Sequence, residues 1–220
     1  MSERKPITVY LAGDSTVQIY SAEHAPQAGW GQFIADCFTD DVRFINHAIG
    51  GRSSRTFVEE GRLQAILESI GEGDYLFVQM GHNDSTAFKP ERYTDPYTEY
   101  PRYLKMYIDG AREKKAIPLL ITPAGRLHWE EGRFVNSFPD YCHSMKQLAA
   151  REQVLLIDLM ERSLQTFTTI GYNEAAKWFM VSVNGTDHTH FTETGAKGMA
   201  KLVAEGVKQL NIDLSAYVTI

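Results

Sequence analysis

Ser15, Asp187 and His190 are the residues of this 220-residue chain most readily joined into a reaction. A serine in the turn after a strand is exposed and can attack an electrophile, provided that a base, usually histidine, takes its proton. The histidine in turn needs an acceptor on its second ring nitrogen to fix its tautomer. Asp187 and His190 stand three positions apart, so within one turn the carboxylate can reach the ring. Attack on an acyl carbonyl builds an oxyanion that must be met by donors aimed at it. The backbone N–H of Ser15, the backbone N–H of Gly51 and the side-chain amide of Asn83 are suitable, and Gly51 has no side chain to obstruct a substrate. Singly, each signal has a plainer interpretation: a serine after a strand caps a helix, an asparagine in a turn bonds its own backbone, and a Gly-Gly pair is punctuation. Together, and in this order, they point to acyl transfer. No Gly-x-Ser-x-Gly string occurs, so the nucleophile elbow of the α/β-hydrolases is absent.

These residues must be carried by strand ends. Short β-branched and apolar runs at residues 7–12, 42–46, 75–80, 117–122 and 154–157 read as strands covered on both faces. Between them lie helical stripes: Ile66, Leu67 and Ile70, ended by Gly71; Leu104, Tyr107, Ile108 and Ala111; Tyr141, Met145, Leu148 and Ala149 after Ser137 as cap; and Ala196, Met199, Ala200, Val203, Val207 and Leu210. Alternating strand and helix predicts an α/β fold, a three-layer α/β/α sandwich around a mainly parallel sheet of about five strands, formed by residues 1–220 as one domain. Ligands in such folds sit at the carboxyl ends of the strands. The four chemistry-bearing strings, Gly13-Asp14-Ser15, Gly50-Gly51, Gly81-His82-Asn83-Asp84 and Asp187-His188-Thr189-His190, lie at three strand ends and before the last helix. Residues 85–101, polar and rich in proline and tyrosine, read as a long loop over the cleft mouth.

Composition narrows the partners. Apolar residues are 43% and charged residues 23%, as in globular domains, and a net charge of −6 argues against nucleic acid. No run of about 18 apolar residues predicts a membrane span, and no secretory leader is visible, so a cytoplasmic location is expected. Cys37 and Cys142, far apart and in no CxxC pair, read as buried free thiols. A zinc site on Asp187, His188 and His190 would need further ligands, and the candidates, His82 and His128, sit beside strings already accounted for, so no metal is expected.

In their order and spacing the four strings resemble the SGNH, or GDSL-type, hydrolases, from nearly one end of the chain to the other. Longer strings, AGDSTV, GWGQ, NHAIGGRSSRTF, QMGHND, ITPAGR and DHTHF, resemble the rhamnogalacturonan acetylesterase branch of that superfamily. The resemblance implies a flavodoxin-like fold with Ser15 as nucleophile, His190 as general base and acid, Asp187 orienting His190, and Ser15, Gly51 and Asn83 forming the oxyanion hole. It implies no cofactor. The expected activity is removal of acetyl groups from pectin-derived oligosaccharides, by a monomer or small homo-oligomer.

Arg52, Arg55, Arg126 and Arg133 near strand ends suggest a local anionic partner on an acidic chain, unless they pair with neighbours such as Glu130 and Glu131. Arg52, Arg126, His82 and Trp129 are the expected substrate contacts; Trp30, Trp178 and the tyrosines of residues 93–103 offer further flat faces, or serve as core and loop anchors. Two alternatives stand beside this one. The first is a small-acyl esterase or lysophospholipase with the same chemistry. The second is a non-catalytic flavodoxin-like module holding a phosphate or nucleotide at residues 13–16, which leaves Asp187 and His190 unexplained.

Overall fold

The computed structural model describes residues 7–220. Five parallel strands, β1 (Ile7–Gly13), β2 (Val42–Asn46), β3 (Tyr75–Gln79), β4 (Ile117–Ile121) and β5 (Leu155–Ile157), form one sheet in the order β2-β1-β3-β4-β5. The expected strands are all present, with ends moved by one residue. The order changes direction at β1, the place where a doubly wound sheet opens a crevice at its carboxyl edge.

Strand alternation assigns the two cores. On one face Val9, Leu11, Phe77, Leu119, Ile121 and Ile157 pack against α5 (Leu159–Ile170) and the long α6 (Glu193–Leu210). On the other, Tyr10, Ala12, Leu76, Val78 and Leu120 pack against α1 (Ser54–Glu59), α2 (Arg62–Leu67), α3 (Glu99–Glu113) and α4 (Pro139–Glu152). Side chains of period two feed both cores from every strand, which is why the strands read as unbroken apolar runs. Cys37 and Cys142 are free, buried, and in different cores. Among the described residues no helix is long and apolar enough to cross a membrane.

Junctions explain the local order. Ser53 caps α1, Asp158 caps α5 and Thr192 caps α6, each side chain accepting a backbone N–H from the first turn. Two expected boundaries are corrected. Ser137 does not cap α4: Pro139, with its preset φ, opens the helix, Phe138 takes the cap position, and the Ser137 hydroxyl bonds His128 Nδ1 instead (3.0 Å). Gly71 does not end α2, which stops at Leu67; the N–H of Gly71 donates to Asp74. The polar loop is also shorter than expected, since Glu99, Tyr100 and Pro101 already belong to α3.

Candidate active site

β1 ends at Gly13, and the chain turns at once: the Asp14 carbonyl accepts from the N–H groups of Val17 (3.1 Å) and Gln18 (3.0 Å). This lifts Ser15 out of the sheet edge, and the hydroxyl of Tyr20 fixes its carbonyl at 2.9 Å. Burial pushes Tyr20 up to about 12, so it remains a neutral donor. His190 arrives from the far end of the sequence. A short ribbon pairing Gln27–Ala28 with Phe191–Thr192 ties the start of α6 to the segment following Ser15.

The two ends meet. His190 Nε2 lies 3.0 Å from Ser15 Oγ, and His190 Nδ1 lies 2.7 Å from Asp187 Oδ2. A carboxylate accepts, so Nδ1 carries the proton and Nε2 presents its lone pair to the serine hydroxyl. The other oxygen of Asp187 accepts from the N–H groups of Thr189 and His190, each at 2.9 Å. Partial burial would raise the Asp187 carboxyl, but these N–H donors and the ring outweigh it and hold it below the ordinary value.

Donors line the same cleft. Gly51 has φ +81°, the left-handed conformation that favours glycine; a Cβ there would meet nothing closer than Arg92 Nη1 at 3.9 Å, so backbone conformation rather than space demands the glycine. Among the described residues, neither the Ser15 N–H nor the Gly51 N–H meets an acceptor. Asn83 Nδ2 gives one hydrogen to the Arg52 carbonyl at 2.9 Å and keeps the other. All three groups border an open cleft of about 1130 Å³ that Ser15 and His190 also line. The arrangement can move a proton from serine to histidine and receive an oxyanion beside it.

Beneath the cleft runs a buried polar chain. Trp30 Nε1 donates to Gln79 (2.8 Å), Gln79 to Thr16 (2.6 Å), and Thr16 through both N–H and hydroxyl to Asp14 Oδ1 (2.9 and 2.8 Å). The second oxygen of Asp14 faces His82 Nδ1 at 3.2 Å. Burial alone would raise Asp14, yet the His82 ring and the Thr16 donors reverse the direction and lower it. His82 Nε2 donates to the Ala124 carbonyl (3.2 Å). The ring is thereby fixed between β1 and the segment after β4.

A family model described as GDSL-like lipase/acylhydrolase matches residues 9–203. The chain belongs to that family. This GDSL-like hydrolase is 60% identical to a probable rhamnogalacturonan acetylesterase of Bacillus subtilis, YesY, over 94% of the chain and 95% of the relative. It is 42% identical to the rhamnogalacturonan acetylesterase RhgT of the same organism, over 97% and 95%. The crystal structure of YxiM from Bacillus subtilis superposes with a TM-score of 0.85 at 32% identity, covering 94% of this chain and 58% of that longer one. The fold is shared more widely: an acetylxylan esterase from Geobacillus stearothermophilus gives a TM-score of 0.69 at 15% identity, over 92% and 96%.

In this hydrolase the expected substrate contacts divide. Arg126 and His82 line the cleft, but Arg52 and Trp129 do not. The Arg52 side chain turns to Glu60 (3.0 Å) and to the Gly50 carbonyl (2.9 Å), because the residue that caps the end of α1 presents that carboxylate eight positions on. Trp129 sits on an outer hairpin against Phe134 and Tyr172. Arg55 pairs with Glu59, and Trp30 is wholly buried. Glu130 pairs with His128 rather than with an arginine. Sequence reasoning missed Gln18, Thr86 and Arg92, which also line the cleft. Thr86 and Arg92 lie in the loop whose length and polarity marked it, yet nothing local singles them out within it. Among the described residues no three His, Cys, Asp or Glu side chains gather as a metal-ligand set.

Proposed function

We propose that this GDSL-like hydrolase is a serine esterase that removes O-acetyl groups from rhamnogalacturonan-type oligosaccharides. The observation that carries the reading is the continuous line Ser15 Oγ, His190 Nε2, His190 Nδ1, Asp187 Oδ2, with contacts of 3.0 and 2.7 Å at its two ends. His190 takes the serine proton as Ser15 Oγ attacks the acetyl carbonyl carbon. The carbonyl oxygen becomes an oxyanion among the Ser15 and Gly51 N–H groups and Asn83 Nδ2. Collapse breaks the ester bond; His190 returns the proton to the departing sugar hydroxyl and leaves an acetyl-serine. Water, deprotonated by His190, then releases acetate and restores the serine.

The names of the two Bacillus relatives, at 60% and 42% identity, support the choice of acetylated sugar. The cleft supports it independently. Leu127 is its one aliphatic side chain among the described residues, and hydroxyl, amide, imidazole and guanidinium groups supply most of the others, which suits a sugar better than a long acyl chain. The test is acetate release from acetylated pectin-derived oligosaccharides. Wild-type release that vanishes in Ser15→Ala upholds the reading. Turnover of an aryl acetate with none of the oligosaccharide retains the esterase and removes the substrate. Acyl esters of increasing chain length supply a second check, with a steep fall beyond acetate expected.

A further inference from the structure

The cleft holds two cations that have no ion-pair partner among the described residues. Arg92 comes from the loop after Asn83, and Arg126 from the segment after β4; both line the cleft with Ser15 and His190. Neither forms an ion pair among the described residues. The Nε atoms of both are closed off from solvent without an acceptor. The rest of each guanidinium is positioned rather than free. Arg92 Nη2 donates to Thr86 Oγ1 at 3.2 Å, and its Nη1 lies beside Gly51. Arg126 lies over the Phe138 ring at 4.7 Å. The carboxylates that act on Arg126, Asp14 and Asp187, are already engaged, Asp14 with Thr16 and His82, Asp187 with His190. Burial lowers Arg126, and the charge of Arg92 lowers it further, so the two cations are near enough to oppose each other.

Two guanidiniums on one cleft, neither in an ion pair among the described residues, match a planar carboxylate, which can accept charge-assisted hydrogen bonds from the Nη groups of both. We propose that Arg92 and Arg126 form a carboxylate subsite beside the reacting ester, through which the enzyme selects substrates bearing an unesterified uronic acid. The proposal rests on the acetyl-sugar reading for its biological ligand. Its physical content, that the pair recognises a uronate, is independent. Ser15, His190 and Asp187 act on the acetyl group whatever it is attached to, whereas this pair reads what lies next to it.

The experiment is calorimetric titration of the full-length protein with trigalacturonate and, separately, with its methyl ester, both without acetyl groups so that no turnover intervenes. The free acid is expected to bind about tenfold tighter than the ester, the size of one charge-assisted hydrogen bond. In Arg92→Gln/Arg126→Gln that ratio should fall to about one, and in each single variant to an intermediate value. If the double Gln variant does not fold, Arg92→Lys/Arg126→Lys, which keeps the charge and loses the fork, should still reduce the ratio about threefold. Equal binding of acid and ester by the wild type, binding of neither, or a ratio that survives in the variants overturns the proposal. A protein that prefers the acid yet releases no acetate from any sugar ester retains the subsite and loses the acetyl-sugar reading.

Discussion

The two walls of the cleft are built on opposite plans. On one, every side-chain polar atom of Ser15, His190 and Asp187 is met by a protein partner, and Asp187 alone accepts from its ring partner and two backbone N–H groups. On the other, Arg92 and Arg126 line the cleft with no ion-pair partner among the described residues, and the Nε of each has no acceptor there. The first wall is complete before substrate arrives, as preorganised catalysis requires. The second is completed only by a ligand. In one pocket, chemistry is prepaid in the fold and recognition is left open.

Substitutions should separate the walls. Ser15→Ala removes the attacking atom and should lower acetate release about 10⁴-fold or more on every ester, charged or neutral. A residual rate near that of wild type would dissolve the contrast. Asp187→Asn retains the shape but loses the charge and the tautomer control, and should lower kcat about 10³- to 10⁴-fold, again regardless of substrate charge. Asn83→Ala, which removes one oxyanion donor and the tie to the Arg52 carbonyl, should lower kcat about 10²- to 10³-fold with little change in KM. A loss confined to KM would move Asn83 to substrate binding.

Asp84 tests the support of the second wall. It is fully buried, accepts from Ser54 N–H and hydroxyl and from Thr94, and thereby ties α1 to the loop bearing Arg92. Burial pushes its carboxyl from the ordinary 3.8 to about 6, against the pull of those donors. A raised folded-state value means that the stability it contributes is fully present below about pH 4 and is lost as the pH rises through about 6, roughly 3 kcal/mol in all. Asp84→Asn cannot titrate. Denaturant unfolding of both proteins at pH 4 and pH 7 should show wild type losing about that much relative to the variant, and parallel pH profiles would remove Asp84 from this role.

The contrast also marks what the sequence makes legible. Buried parallel strands read as apolar runs because both their faces enter a core, and the strings at 13–15, 50–51, 81–84 and 187–190 stand out because turns after strands tolerate few residue types. The first three lie together because the strand order brings the carboxyl ends of β1, β2 and β3 side by side, and the ribbon at Phe191–Thr192 brings the fourth to them. Arg92 was not legible. It differs from Arg52 only in what surrounds it in space: Glu60 captures Arg52, and no acid among the described residues pairs with Arg92. Trp129 was misplaced for the same reason, since its hairpin packs outward on Phe134 and Tyr172. Ser137 failed as a cap because Pro139 two positions on sets the helix start.

The contact between Ser15 and His190 closes a span of 175 residues. During synthesis Ser15 leaves the ribosome 175 residues ahead of His190, so by the proposed mechanism a nascent chain cannot hydrolyse an ester until α6 has begun to emerge and the ribbon at Phe191–Thr192 can find Gln27–Ala28. By that mechanism hydrolysis reports that translation has passed position 190, and a product released earlier lacks the base that Ser15 needs.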